Sequence, residues 1–353
     1  MVFPTSATNL LILFAISLLL LGSWANTFKI ARKLRFELYY VDFVFGAVVA
    51  AIVAAFTLGS WIPADLTFQD NFLLTGYRNM AFAIVAGALV SLGNLFLLGA
   101  TSLTGLAAAF PICFGVSWAI DSIVSYFASP SYSITVAIGG ALILLLVAVV
   151  SALAYSGYLE EVAVAKIKAL NEDPRTDKKR PPKPRGPLKG IALGIVGGVL
   201  YSGVMPAIQN SMASEIGVSG YGVAVLMAAT IFVSSIFFLV FFMNFPVAGP
   251  PLAFTSYFRI TKAHHLFGFL GGILWMAGMI AMMVGFDVEG IQIDAVTRYA
   301  LTHGAPVVAM VWGLFIWREM PQASLKVKLM RLGALVLLVV GIGLVATLPL
   351  SAA

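Results

Sequence analysis

Charged residues are scarce: Asp, Glu, Lys and Arg make up 10% of the chain, against about a quarter in a soluble domain. That shortage excludes an ordinary soluble fold, because 61% of the 353 residues are hydrophobic and no core of that size hides so much apolar surface. Cysteine is nearly absent; Cys113 stands alone, which excludes a disulfide framework and a cysteine-held metal. HExxH, GxSxG and a phosphate loop are missing, so no hydrolase, metalloprotease or NTPase motif is present. An enzyme is therefore not expected, and no cofactor is implied. Two of the three histidines, His264 and His265, sit at a membrane edge with no acidic residue near them in sequence. A cleavable signal is not expected either: no basic segment precedes the first apolar run, which continues through Gly22-Ser23-Trp24.

What the chain has instead is long apolar runs and a mean hydropathy of +1.00. Crossing a bilayer takes about 20 residues of helix. Ten runs qualify, at roughly 8–28, 41–61, 79–100, 104–127, 133–156, 189–210, 220–243, 264–286, 295–317 and 328–349. The expected fold is an all-α membrane protein of ten transmembrane helices. Between spans five and six lies a charged, proline-rich stretch whose core reads NEDPRTDKKRPPKPRGP, expected as an extended linker over 160–187. It divides the chain into 1–159 and 188–353, with five spans in each. An odd number per half forces the halves into opposite orientations, the arrangement of inverted-repeat transporters with a site near the midplane.

Charge placement supports one sidedness. With the N terminus outside, every basic residue of the 21 except Arg78 and Arg298 falls on the inner side, while Asp65, Asp70, Glu215, Asp287 and Glu289 fall outside. Both termini are thus expected outside and the basic linker inside a cell inner membrane. The net charge of +6 is accounted for by this topology rather than by nucleic-acid binding.

Polar groups inside spans are the candidate functional residues, since lipid offers them no partner. Asn94 lies in span three, either bonded to a neighbouring helix or aimed at a polar solute. Asp121 in span four and His303 in span nine lie at similar depths from the outer face and are candidates for binding a coupling proton. Asp294 and Arg298 are spaced i, i+4, which predicts a local ion pair. Pro111 and Pro306 lie in spans four and nine, and Pro206 lies in span six beside Tyr201, Gln209 and Asn210. A proline frees the carbonyl one turn back, as kinked transporter helices do at binding sites. Trp24, Trp118 and Trp275 fall within spans, where they either pack or stack on a planar ligand; Trp61 and Trp317 read as interfacial residues. Two glycine runs (Gly194, Gly197, Gly198 and Gly268, Gly271, Gly272) predict close helix packing.

Several motifs then resemble a known group. L-G-S-W ends span one (Leu21–Trp24), YYVDF opens span two (Tyr39–Phe43) and TLGS follows it (Thr57–Ser60). VSLGN occupies span three (Val90–Asn94), and Pro306, Trp312 and Gly313 form P-x-x-x-x-x-W-G in span nine. With ten spans in two inverted fives, these resemble the drug/metabolite transporter superfamily. Within it the chain is most similar to the ureide permeases, with the L-rhamnose–proton symporter and the glucose/ribose uptake porters as neighbours. The resemblance implies import of allantoin, uracil or a related oxo-heterocycle together with protons. The chain departs from the plant members early in span four, where the apolar Ala107–Phe110 replaces an acidic residue, and His303 stands near an expected glutamine.

The expected function is secondary transport of a small neutral polar solute by alternating access, with a monosaccharide porter or a metabolite or drug exporter as alternatives. Asn94, Trp118, Gln209 and Trp275, with Trp24 and Tyr201, are the expected substrate contacts, and Asp121 with His303 the proton-coupling pair.

Overall fold

The computed structural model describes residues 1–31, 34–61, 66–128, 133–172, 188–213, 216–288, 290–291 and 293–351. Among these there is no strand. The helices are α1 (Ala7–Ser23), α2 (Asn26–Ile30), α3 (Phe36–Thr57), α4 (Phe68–Leu74), α5 (Tyr77–Thr104), α6 (Leu106–Ala128) and α7 (Ile134–Glu172). They continue as α8 (Leu188–Tyr201), α9 (Val204–Met212), α10 (Gly220–Asn244), α11 (Lys262–Phe286), α12 (Ala295–His303), α13 (Ala305–Val311) and α14 (Leu325–Ala346). A 3-10 turn covers Phe254–Arg259, and α13 runs into a π-helical turn, Trp312–Ile316.

A segment in lipid must satisfy its own backbone, which is why these runs are helical. Among the described residues nine helices are long and apolar enough to span, and α12 with α13 and the π turn, bent by 46°, makes a tenth. The outer faces of α7, α10 and α14 expose rows of large apolar residues such as Leu142, Phe237 and Val336, a surface only lipid would cover. The helix of span five continues to Glu172, into the stretch expected as linker; residues 173–187, with most of its basic charges, lie outside the described residues, as do Arg32, Lys33, Asp65, Glu215 and Glu289. Ten alternate crossings would put both termini at one end of the bundle. The described basic residues other than Arg78 and Arg298 lie at the opposite, basic end.

α6 and α11 are the most enclosed helices. α11 meets α3 through Gly46 and Gly272: a Cβ at Gly272 would collide with the Phe43 carbonyl, and one at Gly46 with that of Phe269. α8 meets α6 in the same way, with Gly198 against the Cys113 carbonyl. The glycine runs do bring helix backbones together. Gly272→Ala is therefore expected to cost about 1–3 kcal/mol, the penalty of overpacking, and to lower the thermal midpoint of the purified protein. Gly343→Ala, where an added Cβ meets nothing within 4 Å, should leave it unchanged.

Candidate functional site

Three spanning segments are interrupted, two by short irregular turns and one by a bend of 46°, and the interruptions converge. α1 gives way to α2 at Trp24-Ala25, where the Thr27 hydroxyl donates to the Trp24 carbonyl at 2.8 Å. α8 stops at Tyr201 and α9 resumes at Val204, with Ser202-Gly203 between them. α12 ends at His303 and α13 begins at Ala305, bent at Gly304 with Pro306 in the first turn. Trp24, Tyr201, His303 and Pro306 from these breaks line one chamber, closed by Phe114, Ser117 and Trp118 of α6 and by Trp275 of α11.

The chamber holds about 90 Å³. Its wall is aromatic. Phe114 lies 4.9 Å from the Tyr201 ring and 5.5 Å from Trp118, centroid to centroid, and Trp118 meets His303 edge-on at 5.4 Å. Ser117, Thr302 and His303 are the polar side chains facing it, apart from the indole and phenol groups. His303 is buried, and its Nδ1 lies 3.1 Å from the Tyr299 carbonyl and 2.9 Å from Thr302 Oγ1. A carbonyl only accepts, so Nδ1 carries the proton and Nε2 is left as the acceptor of the neutral ring. The Tyr299 ring stacks on His303 at 3.8 Å, nearly parallel.

Asn94 stands one layer behind the chamber. Its Oδ1 accepts from the Tyr201 hydroxyl at 2.5 Å, its Nδ2 makes no hydrogen bond among the described residues, and Tyr40 donates to the Ser91 carbonyl one turn earlier at 3.0 Å. Of the two readings open in sequence, the interhelical bond is made. Asn94 reaches the chamber through Tyr201, whose ring lies against Gly93.

On the side of the chain termini the chamber meets a wider vestibule of about 650 Å³; Met205, Thr302 and His303 line both. Gln209 and Asp121 are in this vestibule, with Arg298 and Tyr299. Asp121 and His303 thus share a space, but no hydrogen bond joins them. The local ion pair expected for Asp294 and Arg298 is not made. Asp294 caps α12 instead, accepting from the Thr297 N–H and hydroxyl at 2.8 Å each, and the buried Arg298 Nε has no partner among the described residues. An N-cap carboxylate satisfies orphan amides of the first turn, and that local demand wins over a solvated pair.

At the basic end the chamber is shut. Trp312 donates to Ser23 Oγ at 2.9 Å and Trp317 to Asn26 Oδ1 at 2.6 Å, so Trp317 is tied inward rather than serving as an interfacial residue. Lys29 pairs with Glu319 at 2.7 Å, and the same carboxylate accepts from the Leu106 and Ala107 N–H groups at the start of α6, at 2.9 and 2.8 Å. LGSW and P-x-x-x-x-x-W-G are therefore partners in space. Inside this closure Trp24, Phe43 and Trp275 pack in a chain, with centroid separations of 5.1 and 5.7 Å.

Lys29 read in sequence only as one of the inner-side charges, and Glu319 was not singled out. Asp42 was also missed: buried in α3, it accepts from Tyr257 at 2.5 Å and lies 2.8 Å from His265 Nδ1. His265, expected without an acidic partner, has one from a helix more than 200 residues earlier. Position 42 inside YYVDF was the available signal.

No known family profile matches the chain. Ureide permease 2 of Arabidopsis thaliana is 24% identical over 366 aligned residues, which cover 89% of this chain and 90% of that protein. Ureide permease 3 of the same plant is 28% identical over 114 residues, 32% of this chain and 33% of the relative. A crystal structure titled only as that of a protein aligns over 98% of both chains at 16% identity and a TM-score of 0.48, too distant to specify the fold. With its apolar spanning helices and relatives named as permeases, the chain is a multi-pass membrane protein similar to ureide permeases.

Proposed function

We propose that this protein is a secondary active transporter that imports a small oxo-heterocycle of the allantoin or uracil kind by alternating access. The observation that carries this reading is the small aromatic chamber at the meeting of three helix breaks, in a chain similar to ureide permeases. Broken helices are tolerated in a bilayer where they line a protein cavity. The chamber suits a flat polar ring. Trp118, Trp275 and Trp24 offer indole faces, and Ser117, Thr302 and His303 offer hydrogen-bonding groups to ring N–H and C=O.

Size and polarity argue against the alternatives. About 90 Å³ is well under the ~300–1,000 Å³ of drug-sized pockets. A monosaccharide carries hydroxyls all round its ring, and few of them would find a partner among these walls. In our reading Tyr201 contacts the solute, Asn94 positions Tyr201 and Gln209 takes the solute in the vestibule. The chain consists of two inverted five-helix halves, 1–159 and 188–353, joined by the 160–187 linker, with both termini outside and the basic end in the cytoplasm of a cell with an inner membrane. Spans one and six, both broken, then correspond, as do spans four and nine, each with its proline. The Trp312–Ser23, Trp317–Asn26 and Lys29–Glu319 links form the inner gate of an outward-open state.

Asp121 and His303 carry the coupling proton, reached from outside through the vestibule. Asp121→Asn is expected to abolish concentrative uptake of labelled allantoin into proteoliposomes while solute counterflow persists. Loss of both would make Asp121 a substrate or structural residue.

Trp118→Ala should raise the KM for the heterocycle by roughly 5- to 150-fold, from the ~1–3 kcal/mol of a ring stacked on an aromatic side chain. Uptake assays with allantoin, uracil and glucose check this. Saturable glucose uptake without heterocycle uptake would move the protein to the sugar porters.

A further inference from the structure

A second pocket, at the basic end and facing away from the chamber, has chemistry of its own. It holds about 490 Å³ between the loop that follows the π turn and the first turns of α14. Three cations line it, Arg318, Lys328 and Arg331, together with Glu319 and with Phe315 and Leu332 at its rim.

Arg331 is the centre of the argument. It lies two turns into a membrane-spanning helix, is 7% exposed, and its buried Nε has no partner among the described residues. A guanidinium at such a place is normally paired. Glu319 shares the pocket and acts on Arg331 through space, yet no ion pair joins them. Its carboxylate is already committed to Lys29 and to the Leu106 and Ala107 N–H groups. Among the described residues that line it, the pocket therefore presents three cations and no acidic side chain beyond the committed Glu319.

The loop over it is also unusual. Arg318, Met320 and Gln322 all hold positive φ, at 47°, 58° and 60°, a left-handed backbone that non-glycine residues adopt at a cost. Such conformations persist where the surroundings fix them, and they cluster at ligand sites. The rim is apolar and exposed: Phe315 is exposed, and so is Leu332 beside Arg331.

We propose that this pocket binds the phosphate of an anionic phospholipid headgroup, with Arg331, Arg318 and Lys328 around the phosphate and the acyl chains against Phe315 and Leu332. Guanidinium groups suit phosphate because their forked donors match its oxygens. A free phosphate would use the same cations; the exposed apolar rim of Phe315 and Leu332 selects the lipid. Basic pockets between helices on the cytoplasmic side recognise lipid headgroups in this way. The loop also carries Glu319, so an occupied pocket would hold the gate closed.

The test is thermal unfolding of the full chain in nanodiscs. Phosphatidylglycerol should raise the midpoint by several degrees over phosphatidylcholine, by mass action on the folded state. Inorganic phosphate added in phosphatidylcholine should not. The Arg318→Gln/Lys328→Gln variant, which alters two exposed side chains and so avoids misfolding at the buried Arg331, should lose more than half of the gain. Lys166→Gln/Lys168→Gln, elsewhere on the basic end, should keep it. The proposal is overturned if phosphatidylglycerol gives no gain, if both variants lose it equally, or if phosphate alone reproduces it.

Discussion

A backbone inside a bilayer has no water to bond to, and everything distinctive about this molecule follows from that constraint. Helix is the cheapest answer, so an unbroken helix carries little information about function. A break is costly unless protein or a wet cavity receives the freed groups. Here three segments break at Trp24-Ala25, Ser202-Gly203 and Gly304, and residues from all three breaks face a single chamber. Convergence is the informative fact. Two short irregular turns and one 46° bend meet at this one space, where the helices' regular packing gives way.

The same economy explains how the chamber is closed. Toward the termini it opens into a vestibule that shares His303 with it; toward the basic end, indole donors and one carboxylate lock the first span to the ninth. Each lock uses a group that needs a partner in any case. Glu319 is the clearest example, since it answers a lysine and also caps α6, the helix bearing Trp118 and Asp121. Breaking that contact would free the start of a chamber wall, which is what a gate in alternating access has to do.

Much of this was legible in the sequence because hydropathy has only one reading at this strength. Ten runs were expected, and nine helices with one bent pair are found among the described residues. Trp24, Trp118, Tyr201, Trp275 and His303 could be picked out as aromatic or polar groups inside spans, and they do line one chamber. What stayed hidden were the pairings. Lys29 with Glu319 and Asp42 with His265 join residues far apart in sequence, and periodicity is blind to which helices are neighbours. Asp121 and His303 were placed at similar depths, with their meeting left open; they share the vestibule without touching. The Asp294–Arg298 reading failed for a local reason, because an aspartate three residues before a threonine at a helix start is also a cap.

The central claim, that the chamber at the three breaks receives the solute, is tested most directly by cryo-electron microscopy of the protein in lipid nanodiscs with saturating allantoin. The account predicts a flat density inside the chamber, within stacking distance of Trp118 or Trp275. A chamber left empty at saturation, or density confined to the vestibule or another face, would contradict it.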